Sequence, residues 1–77
     1  MLHMANTFEI EEQIRKRLMD AVKQSGMTNT AIAKSAGLSI SMFTDYKNKG
    51  KLPTLVNFAV ICKVLDVSAD EVLGLKN

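Results

Sequence analysis

The chain has 77 residues, with ten Lys/Arg against eight Asp/Glu and a formal net charge of +2. That length is room for one small domain, so a single domain is expected rather than a two-domain enzyme or a repressor with a separate sensor domain. Apolar residues make up 47% and charged residues 23%, an ordinary globular balance rather than a disordered one. A single cysteine excludes an internal disulfide framework, and a single cysteine with a single histidine excludes a Cys/His zinc module. No apolar run approaches the roughly 20 residues needed to span a bilayer. Residues 1–7 lack the long apolar stretch of a signal peptide, so a cytoplasmic protein with no membrane attachment is expected.

In chain order, residues 1–7 read as a flexible tail and residues 8–77 as one domain. The apolar spacing is three and four, never two, which predicts helices throughout. Ile10, Ile14, Leu18, Ala21 and Val22 form one stripe on a first helix from about Phe8 to Ser25. Asn6, with Glu9 three residues later, starts it, and Gly26 ends it. A short second helix runs from about Asn29 to Ala36 behind the N-cap Thr28, with Ile32, Ala33 and Ala36 inward, and Gly37 breaks it. Leu38 enters the core, and Ser39 caps a third helix to about Lys47. Phe43 and Tyr46 face inward there with Met42 as a gap-filler beside them, leaving Ile40, Ser41, Thr44 and Asp45 outside.

Asn48 to Leu52 is a polar, lysine-rich loop. Pro53 and Thr54 open a fourth helix with Leu55, Phe58, Ile61, Cys62 and Leu65 on its buried stripe. Ser68 and Glu71 read as a capping box opening a last helical turn that carries Val72, Leu73 and Leu75. The expected fold class is therefore all-α, five helices around one core of Ile14, Leu18, Val22, Ile32, Leu38, Phe43, Leu55, Phe58, Ile61 and Leu65. Cys62 reads as a small core residue rather than a reactive thiol, and His3 as part of the tail. The Arg15-Lys16-Arg17 run reads as a solvated face supported by Glu11 and Glu12 one turn earlier, with a DNA-backbone role for Arg15 or Arg17 left open. No nucleophile–base pair, paired carboxylates or phosphate loop stands out, so no enzymatic activity, metal, cofactor or small-molecule ligand is expected.

The net charge alone does not argue for nucleic acid, but its distribution does more. Residues 27–57 hold Lys34, Lys47, Lys49 and Lys51 against the single acid Asp45. The same stretch reads as a short helix, a turn containing glycine and a second short helix, the helix-turn-helix arrangement. Ala33 lets the two helices cross closely, Gly37 takes the tight turn and Leu38 plugs the angle between them.

These residues resemble a known family, the lambda-repressor-like, Cro-type (XRE) helix-turn-helix proteins. The resemblance is carried by Thr28, Ile32-Ala33, Ala36-Gly37-Leu38-Ser39, Phe43, Gly50-Lys51, Pro53-Thr54-Leu55 and the ending Leu65-Asp66-Val67-Ser68-Ala69-Asp70-Glu71-Val72-Leu73, and it runs from about Leu18 to Leu73. It implies a small regulator of the phage or prophage type, a repressor, whose third helix lies in the major groove of double-stranded DNA. Carried over position by position, it implies base reading by Ser39, Ile40, Ser41, Thr44 and Asp45. Phosphate contacts are implied for Asn29, Lys34, Lys47, Lys49, Lys51, Thr54 and Asn57. Asn29 and Ile40 stand where many members of the family have Gln, and Lys47 stands at the family's usual Glu. Ile40 can offer a base only an apolar surface, such as to a thymine methyl, and Asp45 can accept from cytosine N4.

One such motif reads only a few base pairs, so two copies on a pseudo-palindrome are expected. Val72, Leu73 and Leu75 make the C-terminal end the expected site of a weak homodimer. The competing reading is a protein–protein module on the same fold, an adaptor or antitoxin-like partner. The apolar Ile40 and acidic Asp45 on the outer face of the third helix keep it open.

Overall fold

The computed structural model describes residues 6–75. Residues 1–5, which hold His3 and most of the expected tail, and residues 76–77 lie outside the described residues. Five helices follow one another: α1 (Thr7–Ser25), α2 (Asn29–Ala36), α3 (Ile40–Asn48), α4 (Leu55–Leu65) and α5 (Ala69–Leu73), with no strand among the described residues.

Helices α1 to α4 each begin where a short polar side chain takes a free backbone N–H. Asn6 Oδ1 accepts from the Phe8 amide at 2.7 Å. The hydroxyls of Thr28, Ser39 and Thr54 accept from the amides of Ala31, Met42 and Asn57 at 3.0, 3.0 and 3.3 Å, opening α2, α3 and α4 in the same way. The stops are as regular. At the end of α2 the Gly37 amide donates to the Lys34 carbonyl and the Leu38 amide to the Ala33 carbonyl, at 3.2 and 2.8 Å. The same pair of bonds recurs at Asp66 and Val67 after α4, and at Gly74 and Leu75 after α5. This closure requires a left-handed residue one position past the helix. Gly37 and Gly74 supply it, and at Asp66 a non-glycine residue is held at φ 56°.

The core consists of Leu18 and Val22 from α1, Ile32 and Ala33 from α2, Phe43 and Tyr46 from α3, Phe58, Ile61, Cys62 and Leu65 from α4, and Val72 from α5. Ile14 and Leu38 pack against it half-buried. The α2 helix lies against both α3 and α4, while α1 packs across α3, α4 and α5. Phe43 and Tyr46 meet edge to face, with ring centroids 6.2 Å apart, a geometry aromatic quadrupoles favour. The Arg17 Nε–H donates to the Val72 carbonyl at 2.6 Å and so ties α1 to the short α5. Gly74 leaves room for that guanidinium: a Cβ there would fall 2.5 Å from Arg17 Nη2.

Several expectations are corrected. Ile10 is exposed, because packing on α1 begins at Ile14 and the first turns of this 19-residue helix extend past the core. Leu55 is 84% exposed although its spacing places it on the α4 stripe. It is the first residue of α4, and the buried layer starts one turn later at Phe58. Met42 is exposed rather than filling a gap, since it sits on the flank of α3 while Phe43 and Tyr46 point inward. Of the C-terminal apolar trio, Val72 is buried and Leu73 half-buried, which leaves Leu75 as the exposed member. Arg17 is not part of a solvated face but is bound to Val72.

Ser68 occupies the N-cap position of α5, yet its side chain makes no capping hydrogen bond. Its ψ is 126°, against 157°, 151° and 164° at Thr28, Ser39 and Thr54. Ser68→Ala is accordingly expected to cost no more than about a few tenths of a kcal/mol, whereas Thr28→Ala and Ser39→Ala each cost about 1 kcal/mol. Urea unfolding of the three variants reads the difference directly; an equal loss in all three would contradict the assignment.

Candidate nucleic-acid interface

The corner between α2 and α3 is built by a few small residues. Ile32 and Ala33 are fully buried, and Ala33 presents only a methyl group, so the neighbouring helices approach closely. The Leu38 amide closes back on the Ala33 carbonyl, and Ser39 starts α3 at once. With Phe43 and Tyr46 turned into the core, Ser41 is exposed, Thr44 and Asp45 are half-buried and Ile40 is 52% exposed. Ser39, Ile40, Ser41, Thr44 and Asp45 thus share the outward side of one nine-residue helix and its cap.

Their polar atoms are partly committed. Ser39 Oγ accepts the Met42 amide, which leaves its own proton to donate. The Thr44 hydroxyl donates to the Ile40 carbonyl at 2.8 Å, so while that bond stands it offers only lone pairs. Asp45 Oδ1 lies 3.6 Å from Lys49 Nζ, one turn further on.

Around this helix the structure brings together some of the candidate phosphate ligands. Asn29, at the start of α2, and Lys47, near the end of α3, line one cleft of about 450 Å³ beside the C-terminal end of α1. Thr54 and Asn57 open α4, and the Asn57 amide group donates to Tyr46 Oη at 3.4 Å and to Met42 Sδ at 3.8 Å. That contact anchors the first turn of α4 on the flank of α3. Lys49 and Lys51 are exposed on either side of Gly50. Lys34 is exposed in the last turn of α2, apart from the Asn29–Lys47 cleft.

Sequence reasoning misses Met42 as a neighbour of this surface, whereas it leaves Arg15 open as one. Met42 carries no sequence signal beyond its apolar type. Arg15 pairs with Glu12 at 2.7 Å and lies beside Gly50, where a Cβ would be 3.9 Å from its Nε. A charge run at helical spacing conceals such differences. Arg15, Lys16 and Arg17 go respectively to Glu12, to Asp20 and to the Val72 carbonyl. Among the described residues no group of His, Cys, Asp and Glu could hold a metal ion, and no helix is long and apolar enough to cross a membrane.

No protein-family model matches the chain. Over 62 residues it is 31% identical to the cryptic phage CTXphi transcriptional repressor RstR of Vibrio cholerae serotype O1, a stretch covering 80% of this chain and 55% of that protein. The chain is thus similar to a phage transcriptional repressor and spans about half the length of the curated relative it matches.

Cys62 lies in the core on α4, where burial pushes its thiol pKa up. Raising that pKa keeps the sulfur protonated, and the thiolate is the nucleophile. In native protein at pH about 8, just below the ordinary thiol pKa, a disulfide reagent such as Ellman's reagent is expected to react with Cys62 far more slowly than with a free cysteine. In urea the full equivalent should react at once; a native rate equal to that of free cysteine would place this thiol outside the core.

Proposed function

We propose that this chain is a sequence-specific double-stranded DNA-binding regulator of transcription of the phage-repressor kind, working in the cytoplasm without catalytic chemistry. It docks a helix-turn-helix formed by α2 and α3, with α3 in the major groove. The observation that carries this reading is the α2–α3 corner. A glycine-closed turn on Ala33 leaves a short helix whose inner side is aromatic and whose outer side carries hydroxyls and one carboxylate. The similarity to a phage repressor supports it from a separate direction.

In this reading Ser39, Ile40, Ser41, Thr44 and Asp45 meet base edges. Asn29, Lys34, Lys47, Lys49, Lys51, Thr54 and Asn57 meet phosphates. The capped starts of α2 and α4 add free backbone N–H groups, which favour anions, and each lysine that neutralises a phosphate releases a counterion. Phosphate contacts fix the register and carry no sequence information; base contacts carry it. Lys51→Ala is therefore expected to weaken binding to every duplex alike and to flatten the salt dependence by roughly one ion per site. Ser41→Ala is expected to cost about 1–3 kcal/mol on a selected site and little on random DNA. The measurement is fluorescence anisotropy on a selected duplex and its one-base variants at two salt concentrations. No binding by the parent protein at low salt would sink the reading.

The protein acts as two copies on a pseudo-palindromic site, paired weakly through the C-terminal end, where Leu75 is exposed and Leu73 half-buried. Leu75→Asp is expected to lower the dimer fraction in sedimentation velocity and to weaken binding to a two-half-site duplex more than to a single half-site. A protein monomeric both free and on DNA would contradict the pairing.

The exposed apolar side chains Ile40, Leu55 and Val56 favour a second reading, a protein–protein interaction module on the same fold. It takes precedence if substitutions on α3 leave DNA binding unchanged while a partner protein is lost.

A further inference from the structure

Asp45 is the one carboxylate in residues 21–65, a stretch that carries Lys23, Lys34, Lys47, Lys49, Lys51 and Lys63. It stands on the outward side of α3. A lone acid on a surface meant for a polyanion weakens attraction everywhere along that surface. The structure shows what compensates it in the free protein: Lys49 Nζ lies 3.6 Å from Asp45 Oδ1, and the Lys49 amide donates to the Asp45 carbonyl at 2.9 Å, which fixes Lys49 one turn away. The Lys49 side chain is 67% exposed and that of Asp45 only 27%. The cation is therefore the more mobile member of the pair, and the carboxylate the more covered one.

Resting on the DNA-binding reading above, we infer that Asp45 is a specificity filter that admits cytosine at one position of the site, and that Lys49 is the counter-charge it gives up on docking. A Lys49 ammonium neutralised by Asp45 attracts a phosphate less than a free one, so the carboxylate and a phosphate compete for it. When DNA draws Lys49 away, Asp45 is left facing base edges with a negative charge and only acceptor atoms. Guanine offers acceptors in the major groove, and thymine an acceptor and a methyl group, so neither satisfies it. Adenine offers an amino group beside the acceptor N7. Cytosine offers an amino donor with no acceptor beside it, and alone meets a carboxylate without repulsion. On a wrong sequence Asp45 keeps Lys49, and one phosphate contact is lost as well. A single ion pair thus couples a base contact to a phosphate contact, which makes non-cognate binding weaker and cognate binding more selective.

The test is in vitro selection from a random duplex library with the full chain and with Asp45→Asn and Asp45→Ala, followed by binding to random-sequence DNA over a range of salt. The isosteric Asp45→Asn variant guards against a folding defect, and its urea unfolding curve should overlay that of the parent. The parent is expected to enrich a motif with one nearly invariant C·G pair. Both variants should lose preference at that pair alone. They should bind random DNA several-fold more tightly, with a salt slope steeper by about one ion as Lys49 becomes available. Lys49→Met should weaken random-DNA binding more when combined with Asp45→Asn than when introduced alone. A motif unchanged in both variants, or a Lys49→Met effect that is the same with and without Asp45→Asn, overturns the filter while leaving DNA binding intact. A parent that enriches no motif and binds no duplex overturns the DNA-binding reading itself, and the filter with it.

Discussion

The close approach of α2 to α3 and α4 at Ile32 and Ala33 is the contact on which the rest of the structure depends. An eight-residue helix is too short to persist by itself in water. The α2 helix exists because it is gripped on two sides, with Ile32 and Ala33 fully excluded from solvent. A larger side chain at Ala33 would push its neighbours apart, and its carbonyl could no longer receive the Leu38 amide at 2.8 Å. That bond sets the direction in which the chain leaves α2, and therefore which side of α3 faces outward. The aromatic pair Phe43 and Tyr46 then locks α3 against rotation about its own axis. The orientation of Ser41 and Thr44 is thus a consequence of packing two helices away.

Much of this was legible in the sequence because the helix ends are governed by local chemistry. Thr28, Ser39, Thr54 and Asn6 are hydroxyl or amide residues before apolar-periodic segments, and Gly26 and Gly37 are glycines after them. A cap acts over three residues, so reading three residues at a time is enough. Depth in the core is different, because it depends on how far a neighbouring helix reaches. Ile10 and Leu55 both follow their helix's period, and both lie beyond the layer their partners cover. Ser68 is a different case: residue type places it at the cap, yet its side chain makes no capping hydrogen bond there.

The candidate interface was legible as a set of residue types and less so as a set of interactions. The outward placement of Ile40 and Ser41 follows from helical period once Phe43 and Tyr46 are taken as inward. The bond from Thr44 to the Ile40 carbonyl, the pairing of Asp45 with Lys49 and the seat of Asn57 on Tyr46 and Met42 do not follow from period. They depend on rotamers and on a contact between residues 11 to 15 positions apart. Arg17 is the extreme case: its partner lies 55 residues further along the chain, and no local pattern could separate it from Lys16.

The modest net charge hides a division of labour that the fold makes spatial. Seven of the eight acids lie in residues 9–20 and 66–71, on α1 and around α5, while residues 21–65 carry six lysines and one acid. Of the four α1 cations, Arg15 and Lys16 are bound by acids of their own helix and Arg17 holds α5 in place. What α1 and α5 contribute is mechanical: they close the core from one side, and with Asp66 they carry seven acids against four cations. The lysines of α2, α3 and the loop before α4 are left with little internal neutralisation, Lys49 excepted. Surface pairs of this kind are worth only about 0–1 kcal/mol each. Their arrangement therefore does little for stability and much for which side of the molecule a polyanion meets first. Because long-range attraction depends on the distribution of charge over a surface more than on its sum, a chain of net charge +2 can still present one face as a cationic surface.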